Sequence, residues 1–599
     1  MRINNSDNWF YKAGIVGFDR IIRYNEDFCN LDSGLYNYVV HDNYIEFDEK
    51  LLENFHKYYF NYFFGRYNSA KDQEEKIRFY IRRCEKEDKF KDNLGKIREL
   101  VKNNNKKIKK FEVKEVNRCL EIQKELGMVK KYSEKNKVEE LLNEYIDILK
   151  DNYINTQITL NKFKSILSKS FFGQVSFLNV CNNSKTLAQQ EDILFKDYID
   201  PILVMCKLNE ILKKNDEEML REFIEECLLK NKRNGEIEKV LKDFKKGLFG
   251  KIRKEKDAMS IFMQYNSCSM CGNEVSIGSN YYEGNFVPLA ISNENAENMY
   301  WNFNTKHPIC SLCKLILLCT SAGMTDIYKG YLDDKYDYNN KLYYGFISID
   351  GDLRDVIKQN NNLANKKDKD SKLQAYILDS IAEKEQISKW QLDNILYIEF
   401  NTDYSSKNTK MNYLNIPRYL AEFLKSKSEL LYKIKDKKVR VEIFDAILKQ
   451  VDLKHLIDKF LRSTLQENEQ YVVNVFPIIK VRVYLKLYKG ECDMVDKLYD
   501  KKLNYVYMQG REVGGILKSN SQENKILGLS YRLLNATKAT NKKEFMDTVI
   551  RIFMSVEKEV PMIFLDVIKE GSLEFEDISY SFISGLTSQD SKIKEGGEK

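Results

Sequence analysis

The chain has 599 residues, of which 43% are apolar and 31% charged, with only 6 prolines. Those totals describe a folded protein of several domains in which long helices are permitted nearly everywhere, and they exclude a disordered chain. Lysine and arginine number 97 against 90 acids, a net +7, so the placement of basic residues matters more than their excess. The opening Met1-Arg-Ile-Asn-Asn-Ser is polar and precedes no apolar signal core, and no run of 18 apolar residues predicts a membrane span. The expected setting is a reducing, cytoplasmic one.

In chain order, Asn8 to Ile22 places Ile15, Phe18, Ile21 and Ile22 at helical spacing, which predicts a helix with one face on a core. Tyr36–Val40 and Tyr44–Phe47 flank His41-Asp-Asn43 and predict a β-hairpin. From about Leu51 to Tyr153 the pattern is helical and heavily charged. Within it, Lys102 to Arg118 carries seven basic and two acidic residues, among them Lys106, Lys107, Lys109 and Lys110. This is either a solvated helix face or a patch that follows a phosphate backbone.

Phe171 to Lys185 breaks the charged texture with Gln174, Asn179, Asn182, Asn183 and a closing Lys185. Amide side chains both donate and accept at base edges, whereas lysine holds phosphate. A polar loop capping buried helices has the same composition. Lys242 to Lys256, which includes Lys251, Arg253 and Lys254, again carries seven basic and two acidic residues and leads into the most specific motif of the chain.

That motif is Cys268-Ser-Met-Cys271 followed, after 38 residues, by Cys310-Ser-Leu-Cys313. Each Cys-x-x-Cys turn aims two thiolates at one centre, and two turns complete a tetrahedral shell of four cysteines, the kind zinc prefers. Such a shell leaves no open coordination position, so the expected cofactor is a structural Zn2+ clamping the insertion between the pairs. Buried free thiols or redox pairs are the alternatives.

Beyond it, Leu342–Ile349 and Ile395–Phe400 predict strands, with a polar loop at Gln359–Lys372 between them. Val481, Val483, Leu485 and Leu487 fit a strand or a buried helix. From about Tyr505 the pattern is helical, with a stripe of Ile526, Leu529, Leu533 and Leu534. Asn541 is then predicted to cap a helix that has Glu544 in its first turn and buries Phe545, Val549, Ile552, Phe553 and Val556. Ser588–Lys599 reads as a frayed tail.

The expected fold is α+β and mostly helical, in four parts. Residues 1–265 form a mostly helical, candidate DNA-contacting domain with a hairpin, and 266–325 the zinc-binding insertion. Residues 326–500 are a mixed α/β region and 501–599 a C-terminal helical bundle.

No phosphate-binding Gly-x-x-x-x-Gly-Lys loop, His-Glu-x-x-His helix or Gly-x-Ser-x-Gly elbow occurs in the chain. An HNH-type nuclease also braces its site with two Cys-x-x-Cys pairs, but it needs a general-base histidine and further ligands for a catalytic metal. Only His307 lies between the pairs, and one histidine cannot fill both roles. A zinc-braced scaffold that binds only protein is a further alternative.

The residues around the pairs, Phe286-Val-Pro-Leu-Ala-Ile-Ser292, Asn298-Met-Tyr-Trp-Asn302 and Pro308 to Gly323, carry a resemblance. With the opening Trp9 to Gly17 and the 505–550 region, they are similar to the CXXC–CXXC-type large subunit (Cas-eight, b class) of type I-B CRISPR Cascade. The resemblance implies a non-enzymatic subunit of an RNA-guided antiviral complex. Its partners would be the guide-RNA-loaded backbone and small subunits, target double-stranded DNA, and a nuclease-helicase recruited on DNA binding. Such a subunit reads a short adjacent motif, the PAM, and helps open the duplex. The resemblance also raises the expectation that the C-terminal bundle is made separately from a start at Met508.

Overall fold

A computed structural model describes residues 1–26, 37–111, 114–214, 216–230, 268–272, 280–281, 285–286, 307–328, 342–349, 351–365, 395–403, 408–427, 429–465, 475–490, 496–569 and 574–588. Lys251, Arg253 and Lys254, the basic segment around them and the final tail from 589 lie outside these residues.

Asn8 opens the first helix, α1 (Trp9–Tyr24), by accepting hydrogen bonds from the amides of Phe10 and Tyr11 at 2.9 and 3.2 Å. The sequence predicts one buried face, but α1 is buried almost all round, Lys12 and Asp19 included. Its polar groups have inward partners. Lys12 Nζ donates to the Ile349 carbonyl at 3.3 Å, and Asp19 accepts from Arg23 and from Tyr38 at 2.8 Å. A helix sheathed in this way is the axis of a core and not part of its rim.

The predicted hairpin forms as β2 (Val39–Val40) and β3 (Tyr44–Glu46), and β1 (Arg2–Asn4) adds to β3 to give an antiparallel sheet of order β1-β3-β2. Helix α2 (Phe55–Arg66) then packs on α1. The charged stretch resolves into α3 (Ser69–Cys84), α4 (Glu87–Ile108), α5 (Lys114–Met128) and α6 (Lys135–Leu149). These four helices close a core of their own around Ile97, Val101, Ile122, Leu142 and Tyr145, separate from the main one. After α7 (Asn152–Leu167) come α8 (Leu187–Leu194), α9 (Asp200–Lys214) and α10 (Glu217–Lys230).

Strands β4 (Asn280–Tyr281) and β5 (His307–Pro308) form a small pair that leads into α11 (Ser311–Leu318) and α12 (Thr320–Gly323). Next is a four-stranded antiparallel meander of β6 (Thr325–Tyr328), β7 (Leu342–Ile349), β8 (Ile395–Asp403) and β9 (Asn408–Ile416). β7 is apolar and buried along nearly its whole length, which is the pattern of a strand covered on both faces.

The predicted loop at Gln359–Lys372 is helical through Asn365, as the end of α13 (Leu353–Asn365). One of its amides is spent on the sheet and the next, Asn361, accepts from Arg20 at 2.9 Å. Asn360 is fully buried, donates to the Ile347 carbonyl at 2.8 Å and accepts from the Ile347 amide at 3.0 Å. Ile347 lies two residues past the Thr325–Gly345 pair that ends β6, so one asparagine replaces the missing strand there.

After α14 (Arg418–Lys427), α15 (Lys437–Leu448) and α16 (Lys454–Leu465), the ambiguous Val481–Leu487 segment is helix α17 (Phe476–Lys489). Pro477 in its first turn and Gly490, left-handed at φ 80°, mark the two ends. Arg482 on α17 is buried and binds Asp452 at 2.7 and 3.0 Å as well as Asp577.

That ion pair joins α17 to the C-terminal helices α18 (Asp496–Ser519), α19 (Glu523–Lys538), α20 (Lys542–Ser555) and α21 (Phe575–Leu586). Met508 lies in the middle of α18, so a product starting there would lack Tyr499, Leu503 and Val506, which fill the core. Among the described residues no helix is long and apolar enough to cross a membrane. The fold is α+β and mostly helical, as the sequence predicts.

Candidate metal centre

The two Cys-x-x-Cys turns are built differently. In the first, the Gly272 amide donates to the Cys268 carbonyl at 2.9 Å and Gly272 takes φ +70°, a conformation that favours glycine. The second is a helix start. Cys310 occupies the N-cap of α11, and its sulfur accepts from the Cys313 amide at 3.4 Å. Cys268 Sγ accepts from the amides of Cys310 at 3.2 Å and Met270 at 3.4 Å. The Ser269 amide and hydroxyl both donate to the Pro308 carbonyl at 2.8 Å, which ties the first turn to β5.

The four sulfurs of Cys268, Cys271, Cys310 and Cys313 lie within 4.8 Å of one another, and Cys271 and Cys310 are 4.0 Å apart. A tetrahedron with zinc–sulfur bonds of about 2.3 Å requires sulfurs about 3.8 Å apart, so the donor set and its span fit one ion held by four thiolates. Three of the four cysteines are buried. Hydrogen bonds from the other three thiols hold Cys268 well below the ordinary thiol range, while the thiols of Cys268, Cys271 and Cys313, followed by burial, push Cys310 up. Four thiols in such reach cannot all ionise without a cation, and a bound dication removes that conflict. Among the described residues these cysteines are the one group of three or more His, Cys, Asp or Glu side chains placed to hold a metal.

The centre is set into the main core. Tyr11 on α1, 2% exposed, has its hydroxyl 3.2 Å from Cys313 Sγ. Residues of the first two helices also grip the segment after Cys313. Arg20 donates to the carbonyls of Ala322 at 3.0 Å and Gly323 at 2.8 Å, and Arg66 to that of Ser321 at 2.9 Å and to Asp326 at 2.8 Å. These cations satisfy carbonyls that end a short helix. No sequence pattern announces Tyr11, Arg20 or Arg66 as part of the site, because their partners lie some 250 to 300 positions away. His307 pairs with Tyr281 across the β4–β5 ladder, beside the knuckle.

The candidate nucleic-acid residues fall in two places. Lys106 and Lys107 end α4, and Lys109 and Lys110 follow it. All four are exposed, and none makes an ion pair among the described residues. In the 171–185 segment three amides hold the loop itself. Gln174 accepts from the Val180 amide at 2.9 Å, Asn179 from the Cys181 amide at 3.0 Å, and the buried Asn182 donates to the Ser176 carbonyl at 2.9 Å. Asn183 and Lys185 have exposed side chains.

Comparison with curated proteins and with solved structures found no match. Residues 263–325, which contain both cysteine pairs together with α11 and α12, match the family described as CRISPR-associated protein (Cas_CXXC_CXXC), and that match supports a CRISPR-associated protein of this family.

Proposed function

We propose that the chain is the large subunit of a type I-B Cascade, a non-catalytic DNA-binding protein that reads the PAM on target duplex and helps open it. The observation that carries this reading is the family match over the metal centre, where a closed four-cysteine shell sits inside the fold and offers a substrate no open position. The ion is zinc in a structural role.

In such a complex, base pairing between guide RNA and target strand supplies the long specificity. The protein then needs only to read a few base pairs and to neutralise phosphate. The four lysines at the end of α4, without an ion pair among the described residues, have the character of phosphate ligands, and exposed Asn183 and Lys185 that of a small reading surface. Partners on this reading are the guide-RNA-loaded backbone, small subunits, target DNA and a recruited nuclease-helicase.

The test is binding of target duplexes with a randomised flanking motif by the reconstituted complex, with and without this chain. Enrichment of one short motif only when the chain is present is the expected outcome. Equal selection in its absence contradicts the reading, and metal-dependent nicking by the chain alone points to an HNH-like nuclease instead.

A further inference from the structure

The helix pair that follows the second cysteine turn is held at two ends. At one end Cys310 and Cys313 face the other two sulfurs. At the other, α11 and α12 lie against α1 with no space between the backbones. A Cβ on Gly14 would fall 2.3 Å from the Ile316 carbonyl oxygen, one on Gly17 1.9 Å from that of Cys319, and one on Gly323 1.9 Å from that of Ala13. Thr320 Oγ1 donates to the Phe10 carbonyl at 3.4 Å, and Arg20 binds carbonyls at the end of α12. Such a seam fixes α1 in one register and does not allow gradual sliding. Tyr11 stands where the two ends meet, on the first turns of α1, with its hydroxyl on Cys313.

We propose that Tyr11 is a positioning residue for the metal centre. Its O–H donates to the metal-bound thiolate of Cys313, and through this bond occupancy of the four-cysteine site orders α1, the axis of the main core, as well as the cysteine turns. A metal thiolate keeps lone pairs and negative charge on sulfur. In a buried setting a hydroxyl donor disperses that charge, and outer hydrogen bonds of this kind typically change metal affinity about 10- to 100-fold. The proposal rests on the reading of the four cysteines as a metal site.

The experiment uses the full chain with cobalt(II) as the probe, and Tyr11→Phe, which keeps the ring and removes the donor. The expected result is a shift of the sulfur-to-cobalt charge-transfer band to lower energy and about tenfold weaker retention against a chelator. A purely packing role for Tyr11 leaves the band where it is. Hydrogen exchange on the wild type, with zinc and after its removal, supplies the second readout. Exchange should rise across residues 9–24, while residues 70–149, which have their own core, stay protected.

An unchanged band and affinity in Tyr11→Phe, exchange confined to 268–313, or equal loss of protection in 70–149 would each overturn the proposal. Failure of the metal reading itself looks different: the wild type then gives no tetrahedral cobalt spectrum at all.

Discussion

Gly17 and Cys319 meet backbone to backbone: the site of a Cβ on Gly17 is 1.9 Å from the Cys319 carbonyl oxygen. This close approach lets the first helix reach the segment that carries Cys310 and Cys313, and a sharp prediction follows. Gly17→Ala must push α1 away from α12, at a cost of about 3 kcal/mol, the upper range for overpacking. Gly528→Ala, in α19 with nothing within 4 Å of its Cβ, should be neutral or stabilise by up to about 1 kcal/mol through helix propensity. Thermal unfolding of the two variants side by side checks the contrast.

Replacing one ligand tests the metal centre. Cys268→Ser should abolish stoichiometric zinc, measured by mass spectrometry of the purified chain, and lower the main unfolding transition. Retained zinc and an unchanged transition would show that the cysteines do not form one site.

His56 supplies a pH dependence. Its ring packs edge-on to Phe195 at 5.2 Å, and its Nδ1 is buried. Burial, with Lys57 beside it, pulls its pKa from 6.5 down to about 4, against weaker opposing pulls from Asp192 and the Glu53 backbone. A depressed histidine binds its proton first in the unfolded chain, so its contribution is complete above about pH 6.5 and is lost as pH falls toward 4. His56→Leu should therefore show a shallower loss of stability across that window than the wild type in denaturant titrations at several pH values.

The lysines at the end of α4 test the electrostatic part of the function. Charge removal at Lys106, Lys107, Lys109 and Lys110 should weaken DNA binding evenly across sequences. It should also reduce the slope of log affinity against log salt by about 0.9 for each phosphate no longer neutralised. In the 171–185 loop the effects should divide. Asn182→Ala removes one of the two donors to the Ser176 carbonyl, leaving the Asn179 amide at 3.1 Å, and costs about 1 kcal/mol of stability, while Asn183→Ala leaves stability intact and alters binding.

What could be read from the sequence followed how local its physics is. The cysteine pairs, the helix at Trp9–Ile22 and the Asn541 cap, whose side chain accepts from the Glu544 amide at 3.1 Å, are specified within a few residues. Asn360 reads as loop because an amide that completes a sheet edge has the same letter as one that faces water. The Val481–Leu487 alternation is ambiguous because a helix buried on most sides loses its 3.6-residue signature. The Tyr11–Cys313 bond joins residues 302 positions apart, and nothing in either neighbourhood encodes it.

The most direct test of the central claim is recovery of the tagged full-length chain from its native cells, with sequencing of every RNA that accompanies it. One class of short repeat-flanked RNA together with a fixed set of companion proteins is the expected yield. A zinc-bearing chain recovered alone and free of RNA would contradict the claim.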